Sequence, residues 1–310
     1  MPTDSMNHLI VPFAQSAGDG WLQAVSPLKL KNLDQLLRGM KLVDADNGAA
    51  DSLSPPHERV LAKALGLAAG DGLIPWAARE ADAKPHQGWA AITPCHWAMG
   101  REHATLTDPA TLDISEADSR ILLAAMQPYF ATEGITLVYS QPARWLAEGD
   151  VFNSLPTASP DRVLGRNVDR WLPASTAIKL LQSEMQMLLY THAVNDERAA
   201  KGQRSVNSFW VSGSGALNET ARTTPQANAT RALGPSALAS DWAAYRQAWA
   251  QLEATEVAQL LAQQNSGKPV RISLCGESNA MTFETAKLGL LTKIRNALSP
   301  HPLINLLKQL

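Results

Sequence analysis

Short apolar segments alternate with longer amphipathic segments along the chain. Runs of four to six mostly apolar residues are typical of buried strands, especially where β-branched or aromatic side chains are frequent. The predicted strands are residues 8–13, 89–92, 135–139, 206–211 and 270–275. Pro12 cannot donate a backbone hydrogen bond, so the paired part of the first strand is expected to end at Val11.

The segments between these strands have apolar residues spaced three and four apart, which is typical of amphipathic helices. The predicted helices are residues 28–40, 57–68, 114–130, 180–200, 241–264 and 290–310. Strands that alternate with helices favour an α/β fold. We therefore expect a mostly parallel or mixed central sheet with helices on both faces.

The domain organisation follows from one change in composition. Residues 218–239 are rich in Thr, Asn, Ala and Pro, which is typical of an exposed loop or hinge. Residues 1–217 are expected to form the main α/β domain. Residues 240–310 are expected to add a helix, a strand and further helix to the same sheet, so that the chain is one large domain.

Composition narrows the classes of partner. The chain has 310 residues, 45% of them hydrophobic, and a formal net charge of −2 without a basic cluster. Nucleic acids and anionic membranes require a concentrated basic patch, so neither is an expected partner. The first residues lack the basic segment of a signal peptide, and the two cysteines suit a reduced compartment. A cytoplasmic location is therefore expected.

Several common catalytic signatures are missing from the sequence. It has no G-x-x-x-x-G-K-[ST] loop, G-x-S-x-G elbow, C-x-x-C pair or H-E-x-x-H helix. Gly213 and Gly215 follow a predicted strand, but Asn218 stands where a dinucleotide-binding turn has its third glycine. These absences leave three weaker groups of polar residues as candidates.

The first group lies in the loop after the predicted strand 89–92. His96 and His103 flank Arg101 there, at a place where side chains of an α/β sheet often converge. The two histidines could act as acid and base, with His103 the first choice, or hold a metal ion. Alternatively, each satisfies buried backbone groups.

The second group combines guanidinium and amide side chains. Arginine binds phosphate or carboxylate groups in bidentate geometry, and asparagine amides fix orientation without adding charge. The proposed ligand-binding residues of this group are Arg162, Arg166, Asn195, Arg198 and Asn207. A structural network of salt bridges with nearby aspartates is the competing interpretation.

The third group lies at the end of the long predicted helix. His192 and Asp196 are four residues apart, a spacing that could serve one metal ion, although hydrogen bonds at the helix C-terminus explain them more simply. No complete metal-ligand set emerges from any group. Asp196 is included as a candidate ligand contact, and so is Trp210 in the predicted strand 206–211, since tryptophans can line a cleft as well as fill a core.

Several stretches resemble a known family. They are HLIVPF, TPCHW, MGREHATL, NSLPTASPDRVLGRNVDRWLP, QSEMQMLLYTHAVNDERAAKGQRSVNSFWVSGSG and SLCGE. Together they resemble the proteobacterial RpfE-type regulatory proteins, which are also described as cofactor-independent phosphoglycerate mutase-like. The resemblance covers most of the chain and implies a core similar to that of the alkaline phosphatase superfamily.

The same resemblance implies a metal-bound Ser or Thr nucleophile and two divalent cations, held by Asp and His residues. An Asp typically follows the first strand in such enzymes. Here the strand is followed by AQSAGD, and Asp19-Gly20 comes about six residues late. D-x-x-x-H spacing occurs only at Asp4 to His8 and at Asp82 to His86. The core is therefore expected to be degenerate, with the identity of any cofactor left open.

Two functional hypotheses follow. In the first, residues 180–215 and the His96 to His103 loop form opposite walls of a site for a small anionic ligand, such as a phosphorylated one, with mutase or phosphotransfer activity doubtful. In the second, the chain is a non-catalytic regulatory or scaffolding protein. Its protein partner would then bind the 218–239 loop and the Trp-bearing helix 241–264.

Overall fold

The computed structural model describes residues 6–67, 70–218, 227–286 and 303–310. The chain divides into two compact units. The first unit comprises Met1–Asp51, Pro55–Gly66 and Thr223–Leu310, and the second comprises Ser52–Ser54 and Leu67–Arg222. Residues of the segment 1–217 thus belong to both units.

The described residues form eleven strands. They are β1 (Asn7–Val11), β2 (Met40–Asn47), β3 (Trp89–Cys95), β4 (Trp97–Met99), β5 (Ala104–Leu106), β6 (Thr136–Gln141), β7 (Arg144–Glu148), β8 (Ser208–Gly215), β9 (Ala227–Ala229), β10 (Val270–Cys275) and β11 (Asn279–Thr285).

The same residues form twelve α-helices. They are α1 (Trp21–Val25), α2 (Lys31–Arg38), α3 (Pro56–Ala64), α4 (Trp76–Glu80), α5 (Glu116–Thr132), α6 (Pro160–Val163), α7 (Thr176–Tyr190), α8 (Ala193–Ala200), α9 (Gly234–Leu238), α10 (Trp242–Leu252), α11 (Ala258–Asn265) and α12 (Leu303–Leu307). A π-helical turn, Glu253–Val257, joins α10 to α11, and three short 3-10 helices are Pro109–Leu112, Asp150–Asn153 and Asp169–Trp171.

The first unit is built on a mixed five-stranded sheet of order β2-β11-β10-β1-β9. Strand β1 is parallel to β9 and β10, whereas β11 is antiparallel to both β10 and β2. Successive side chains of β1 point to opposite faces. Leu9 and Val11 therefore pack with α2, α10 and α11, while Ile10 packs with Val60 of α3. Helices thus cover both faces of this sheet.

The second unit contains a four-stranded antiparallel sheet of order β6-β7-β3-β8 and the hairpin β4-β5. Apolar residues of α5 and α7 pack on one face of the sheet, around Trp145 and Phe209. Ala77 of α4 packs on the other face. The α/β class with a mixed sheet and helices on both faces is confirmed, with the parallel pairing confined to the first unit among the described strands.

The long helix predicted at residues 180–200 is two helices, α7 and α8. The break falls at His192, whose backbone is extended and whose Nδ1 accepts a hydrogen bond from the Val194 N–H at 3.2 Å. His192 is therefore the N-cap of α8, which leaves this ring nitrogen engaged. The helix predicted at 241–264 continues through α10 and α11, because the π-helical turn joins them without a break.

No helix among the described residues has both the length and the apolar composition that crossing a bilayer requires. The predicted terminal helix at 290–310 lies mostly outside the described residues, which include only α12 from that segment.

Candidate functional site

The two stretches singled out in the sequence meet in the second unit. The Asn207 N–H donates to the Cys95 carbonyl at 3.1 Å, next to the ladder between β3 and β8. The Asn207 side chain then pairs with the backbone of Trp97, accepting at 2.7 Å and donating at 3.0 Å. Its amide thus fixes the start of β4, and both of its polar atoms are engaged in this role.

His96 lies at the base of the β4-β5 hairpin, whereas Arg101 and His103 lie at its exposed tip. The His96 Nδ1 donates to the Ser205 carbonyl at 2.9 Å. His96 lies four positions before Gly100 of the turn, which corresponds to about 13 Å along a strand. The structure therefore does not bring the two histidines together as an acid–base pair.

Asn195 is buried in the connection between α7, α8 and β8. Its Nδ2 donates to the Leu189 carbonyl at 2.7 Å and to the Val206 carbonyl at 2.8 Å. Its Oδ1 accepts from the Val206 N–H at 2.8 Å. These three hydrogen bonds join Leu189 of α7 to Val206, just before β8. Asp196, the residue after Asn195, is exposed.

Arg198 has 1% of its surface exposed. Its Nε donates to the Arg204 carbonyl at 2.8 Å, its Nη2 donates to the Leu112 carbonyl, and its Nη1 lies 4.0 Å from a carboxylate oxygen of Asp118. The buried guanidinium therefore links the loop at Leu112 to the loop at Arg204 through hydrogen bonds. It has no edge open to a ligand.

The remaining candidates do not share one surface. Trp210 is buried, and its Nε1 donates to the Ala158 carbonyl at 3.0 Å, as expected for a core tryptophan. Arg162 in α6 is 2% exposed, whereas Arg166 beyond the end of α6 is exposed. Arg162, Arg198 and Trp210 belong to the interior of the unit, so they cannot contact a ligand from solvent.

A cleft of about 470 Å³ opens beside the two loops that Arg198 connects. One wall comes from the end of β5 and the 3-10 helix that follows, and the other comes from the connection after α8. The cleft is lined by Thr107, Thr111, Leu112, Asp113, Gly202, Gln203 and Arg204. Arg198 donates to a carbonyl on each wall, so it sets the distance between them.

Two charged side chains line this cleft. Arg204 and Asp113 are exposed, and neither side chain has a hydrogen-bond or ion-pair partner among the described residues. Asp113 follows the 3-10 helix in a left-handed conformation, with φ 47° and ψ 55°. Arg204 is the cation here, and the Thr107 hydroxyl and the Gln203 amide add neutral donors, whereas the Thr111 hydroxyl donates to the Asp108 carbonyl at 2.7 Å.

A second cleft of about 510 Å³ lies elsewhere in the same unit. Its lining includes His86, Glu133, Glu148 and Asp150 and no lysine or arginine. Glu148 accepts a hydrogen bond from Gln87 Nε2 at 3.1 Å. Three carboxylates disfavour an anion, so this cleft does not suit the ligand class predicted from the sequence.

The carboxyl end of β1 is where the family resemblance implies the first metal-binding Asp. Phe13 and Ala14 occupy this place. The Phe13 ring packs 5.5 Å from the His57 ring, and the Phe13 carbonyl accepts from the Tyr245 hydroxyl at 2.7 Å. Ala14 is fully buried and donates to the Cys275 carbonyl at 2.8 Å. Phe13 and Ala14 therefore supply no side-chain ligand for a divalent cation at the place where the resemblance implies the first Asp.

The two D-x-x-x-H spacings are the other positions where the sequence suggested metal ligands. Asp4 lies outside the described residues. Asp82 and His86 are both exposed and have left-handed backbone conformations, with φ 47° and 66°. They belong to the loop before β3, where no strand end positions them as metal ligands in the manner the resemblance implies.

The aromatic residues of helix 241–264, expected at a partner surface, pack in or against the core of the first unit. Tyr245 and Trp249 have no exposed surface, and Trp242 packs edge-on against Tyr245 with ring centroids 5.6 Å apart. Of the 218–239 loop, residues 219–226 lie outside the described residues. The apolar stripe of this helix thus faces inward.

Comparisons with known proteins give little sequence similarity. No family model matches the chain, and no curated protein matches it. Among solved structures, the chain is similar to the cofactor-independent phosphoglycerate mutase from Thermoplasma acidophilum DSM 1728, at 12% identity and a TM-score of 0.36 over 98% of this chain and 99% of that one. It is also similar to the PH0037 protein from Pyrococcus horikoshii, at 9% identity and a TM-score of 0.47 over 91% of this chain and 88% of that one. The α/β assignment therefore rests on the strand order and packing of this chain itself.

Proposed function

We propose that the second unit binds a small anionic molecule in the cleft between Leu112 and Arg204. The single observation that supports this most strongly is the Arg204 guanidinium, which lines the cleft without a partner among the described residues. Guanidinium groups bind carboxylates and phosphates in bidentate geometry. The cleft volume of about 470 Å³ lies in the range of small-molecule sites.

The residues around the cleft favour a site that is preorganised before a ligand binds. Arg198 holds both walls through their carbonyls, so the cleft does not have to be ordered when a ligand enters. The Thr107 hydroxyl and the Gln203 amide provide orienting hydrogen bonds. Asp113 opposes a high negative charge, so the site prefers a singly charged or hydroxyl-bearing anion over a compact trianion.

We also propose that the protein is a phosphoglycerate mutase-like protein of the RpfE type in which ligand binding is the activity. The sequence stretches given above support the family. The apolar residues at the carboxyl end of β1 argue against the family's two-cation chemistry at that place. We expect mutase and phosphatase assays, run with and without added Mg²⁺ or Mn²⁺, to show no turnover that depends on this cleft.

A ligand panel tests the proposal. Thermal unfolding is followed with inorganic phosphate, sulfate, 3-phosphoglycerate, glycolate and, as an uncharged control, glycerol. A specific anion should raise the melting temperature in a saturable way, because a ligand that binds only the folded state stabilises it. Equal effects of all anions, or of none, would contradict a specific site. Comparing 3-phosphoglycerate with glycolate separates phosphate from carboxylate recognition.

A further inference from the structure

The outward face of α7 carries large exposed apolar side chains. Leu180, Met187 and Tyr190 have 57%, 77% and 85% of their surfaces exposed. The opposite face of the same helix packs into the core through Ile178, Leu181, Met185 and Leu189. This helix therefore has a second apolar face beyond the one that its own fold buries. Clustered exposed apolar residues of this kind are typical of interaction surfaces.

The spacing of the outward residues is that of a coiled-coil seam. Leu180, Ser183, Met187 and Tyr190 are separated by three, four and three residues. This is the a-d-a-d pattern of a heptad, in which every member faces a partner helix. Ser183 is exposed and small, so the partner helix can approach closely near the middle of the seam.

We propose that this seam pairs with α7 of a second copy of the chain, in parallel orientation. Lys179 and Glu184 flank the seam on its two sides, and neither side chain has a partner among the described residues. They occupy heptad positions g and e. In a parallel pair, Lys179 of each copy lies near Glu184 of the other, because g pairs with the following e of the partner.

The charges also select the orientation and the partner. An antiparallel arrangement of the same seam brings the two Glu184 carboxylates towards each other, since like positions then face one another. The parallel arrangement forms two opposite-charge pairs instead. A second copy supplies this complementary pattern by symmetry, which gives a closed two-fold interface.

The contact is small, so the dimer is concentration-dependent. Helix α7 has 15 residues and is about 22 Å long. A single helix pair of this length falls below the standard size of a stable interface, about 1,600 Å² in total. We therefore expect a monomer–dimer equilibrium that sedimentation velocity resolves over a wide range of protein concentration.

Cysteine cross-linking tests the orientation directly. Ser183→Cys places a thiol at the centre of the seam, and the native Cys95 and Cys275 are buried. A parallel pair places residue 183 opposite its copy, so mild oxidation should yield a covalent dimer of the variant and not of the wild type. Failure to cross-link at concentrations where wild-type dimer is present would overturn the parallel arrangement.

Substitutions in the seam test the surface itself. Met187→Glu should raise the dimer dissociation constant by about tenfold or more, because it removes apolar burial and introduces repulsion between copies. Ile121→Glu, at a residue of α5 that is 51% exposed, is the matched control and should leave the equilibrium unchanged. Far-UV circular dichroism verifies that both variants fold.

A charge exchange completes the test. Lys179→Glu alone should weaken the dimer, and the double variant Lys179→Glu with Glu184→Lys should restore it, because the pairs re-form with reversed sign. A wild-type protein that stays monomeric at all concentrations would refute the proposal. So would a dimer indifferent to both Met187→Glu and the single charge reversal.

Discussion

Arg198 and Arg204 are six residues apart, and the structure gives them opposite roles. Arg198 is buried and bonded to carbonyls, whereas Arg204 lies exposed in the cleft. The sequence hypothesis assigned ligand binding to Arg198 because guanidinium groups bind phosphate and carboxylate, and it did not single out Arg204. Burial and hydrogen bonding distinguish them, since Arg198 directs its Nε and Nη2 to carbonyls inside the protein.

Replacing Arg198 with Ala should destabilise the fold. The substitution leaves the Leu112 and Arg204 carbonyls without their donor and removes a fully buried side chain. We expect a loss of about 2–4 kcal/mol in the free energy of unfolding. Urea denaturation measures it, with Lys201→Ala, at an exposed position of the same segment, as the control. A change below about 0.5 kcal/mol would contradict the structural role.

His8 should make the stability of the protein dependent on acidity. Burial, followed by the charge of Arg271, lowers the pKa of His8 from 6.5 to about 4. Its Nε2 is hydrogen-bonded at 2.8 Å to the Ser273 hydroxyl, which contacts Thr282 Oγ1 at 2.7 Å. The unfolded chain binds the proton more readily, so the stabilisation is complete above about pH 6.5 and is lost as the pH falls towards 4.

This shift predicts a loss of about 3 kcal/mol between pH 7 and pH 4 from His8 alone. Chemical denaturation at pH 7, 6, 5 and 4.5 measures the slope. His8→Gln keeps a polar side chain that does not titrate, so this variant should show a shallower decline over the same interval. Identical slopes for the variant and the wild type would exclude His8 as the titrating group.

At the scale of elements, the connection between α7, α8 and β8 depends on one amide. Asn195→Ala removes three hydrogen bonds that join Leu189 and Val206. We expect a loss of about 2–3 kcal/mol in the free energy of unfolding, since the Val206 N–H and carbonyl lose their side-chain partner, while the Leu189 carbonyl keeps the His192 N–H as a donor.

Asp196→Ala is the control for Asn195, because the neighbouring carboxylate is exposed and has no side-chain partner among the described residues. Its effect should stay within about 0.5 kcal/mol. Equal effects of the two substitutions would mean that the amide does not hold this connection together. Denaturant titrations of both variants measure the difference.

The apolar pattern predicted most of the buried elements, because burial on both faces leaves a nearly continuous apolar run. Strands β1, β3, β8 and β10 were found in this way. Strand β2 was missed, since it is an edge strand whose pattern is largely exposed and contains three charged residues. Its start was included in the predicted helix 28–40, whereas α2 ends at Arg38.

The sequence could suggest that residues 96–103 and 180–215 lie near each other, and hydrogen bonds of His96 and Asn207 do join these stretches. It could not reveal which polar atoms remain available. Asn195, Arg198 and Asn207 all form bonds to backbone groups that are distant in the sequence. Gly202, after the end of α8, is the one local signal that Arg204 belongs to a loop.

At the scale of the whole molecule, a formal net charge of −2 makes non-specific anion binding weak. An anion site must therefore be local, and we propose that it is at Arg204. Asp113→Asn removes the opposing charge of the same cleft. This substitution should increase the affinity for the anion by about 2- to 10-fold at low salt. The increase in affinity should become smaller as salt is added. An unchanged or lower affinity in isothermal titration would argue against Asp113 as a cleft residue.

The most direct test of the central claim is an isothermal titration of wild-type protein, Arg204→Ala and Lys201→Ala with the anion that the thermal panel selects. We predict that Arg204→Ala weakens binding by about tenfold or more, because a charge-assisted bidentate contact is lost, while Lys201→Ala matches the wild type. All three should unfold at the same denaturant concentration, since both substituted side chains are exposed. Unchanged affinity in Arg204→Ala would contradict the proposed site.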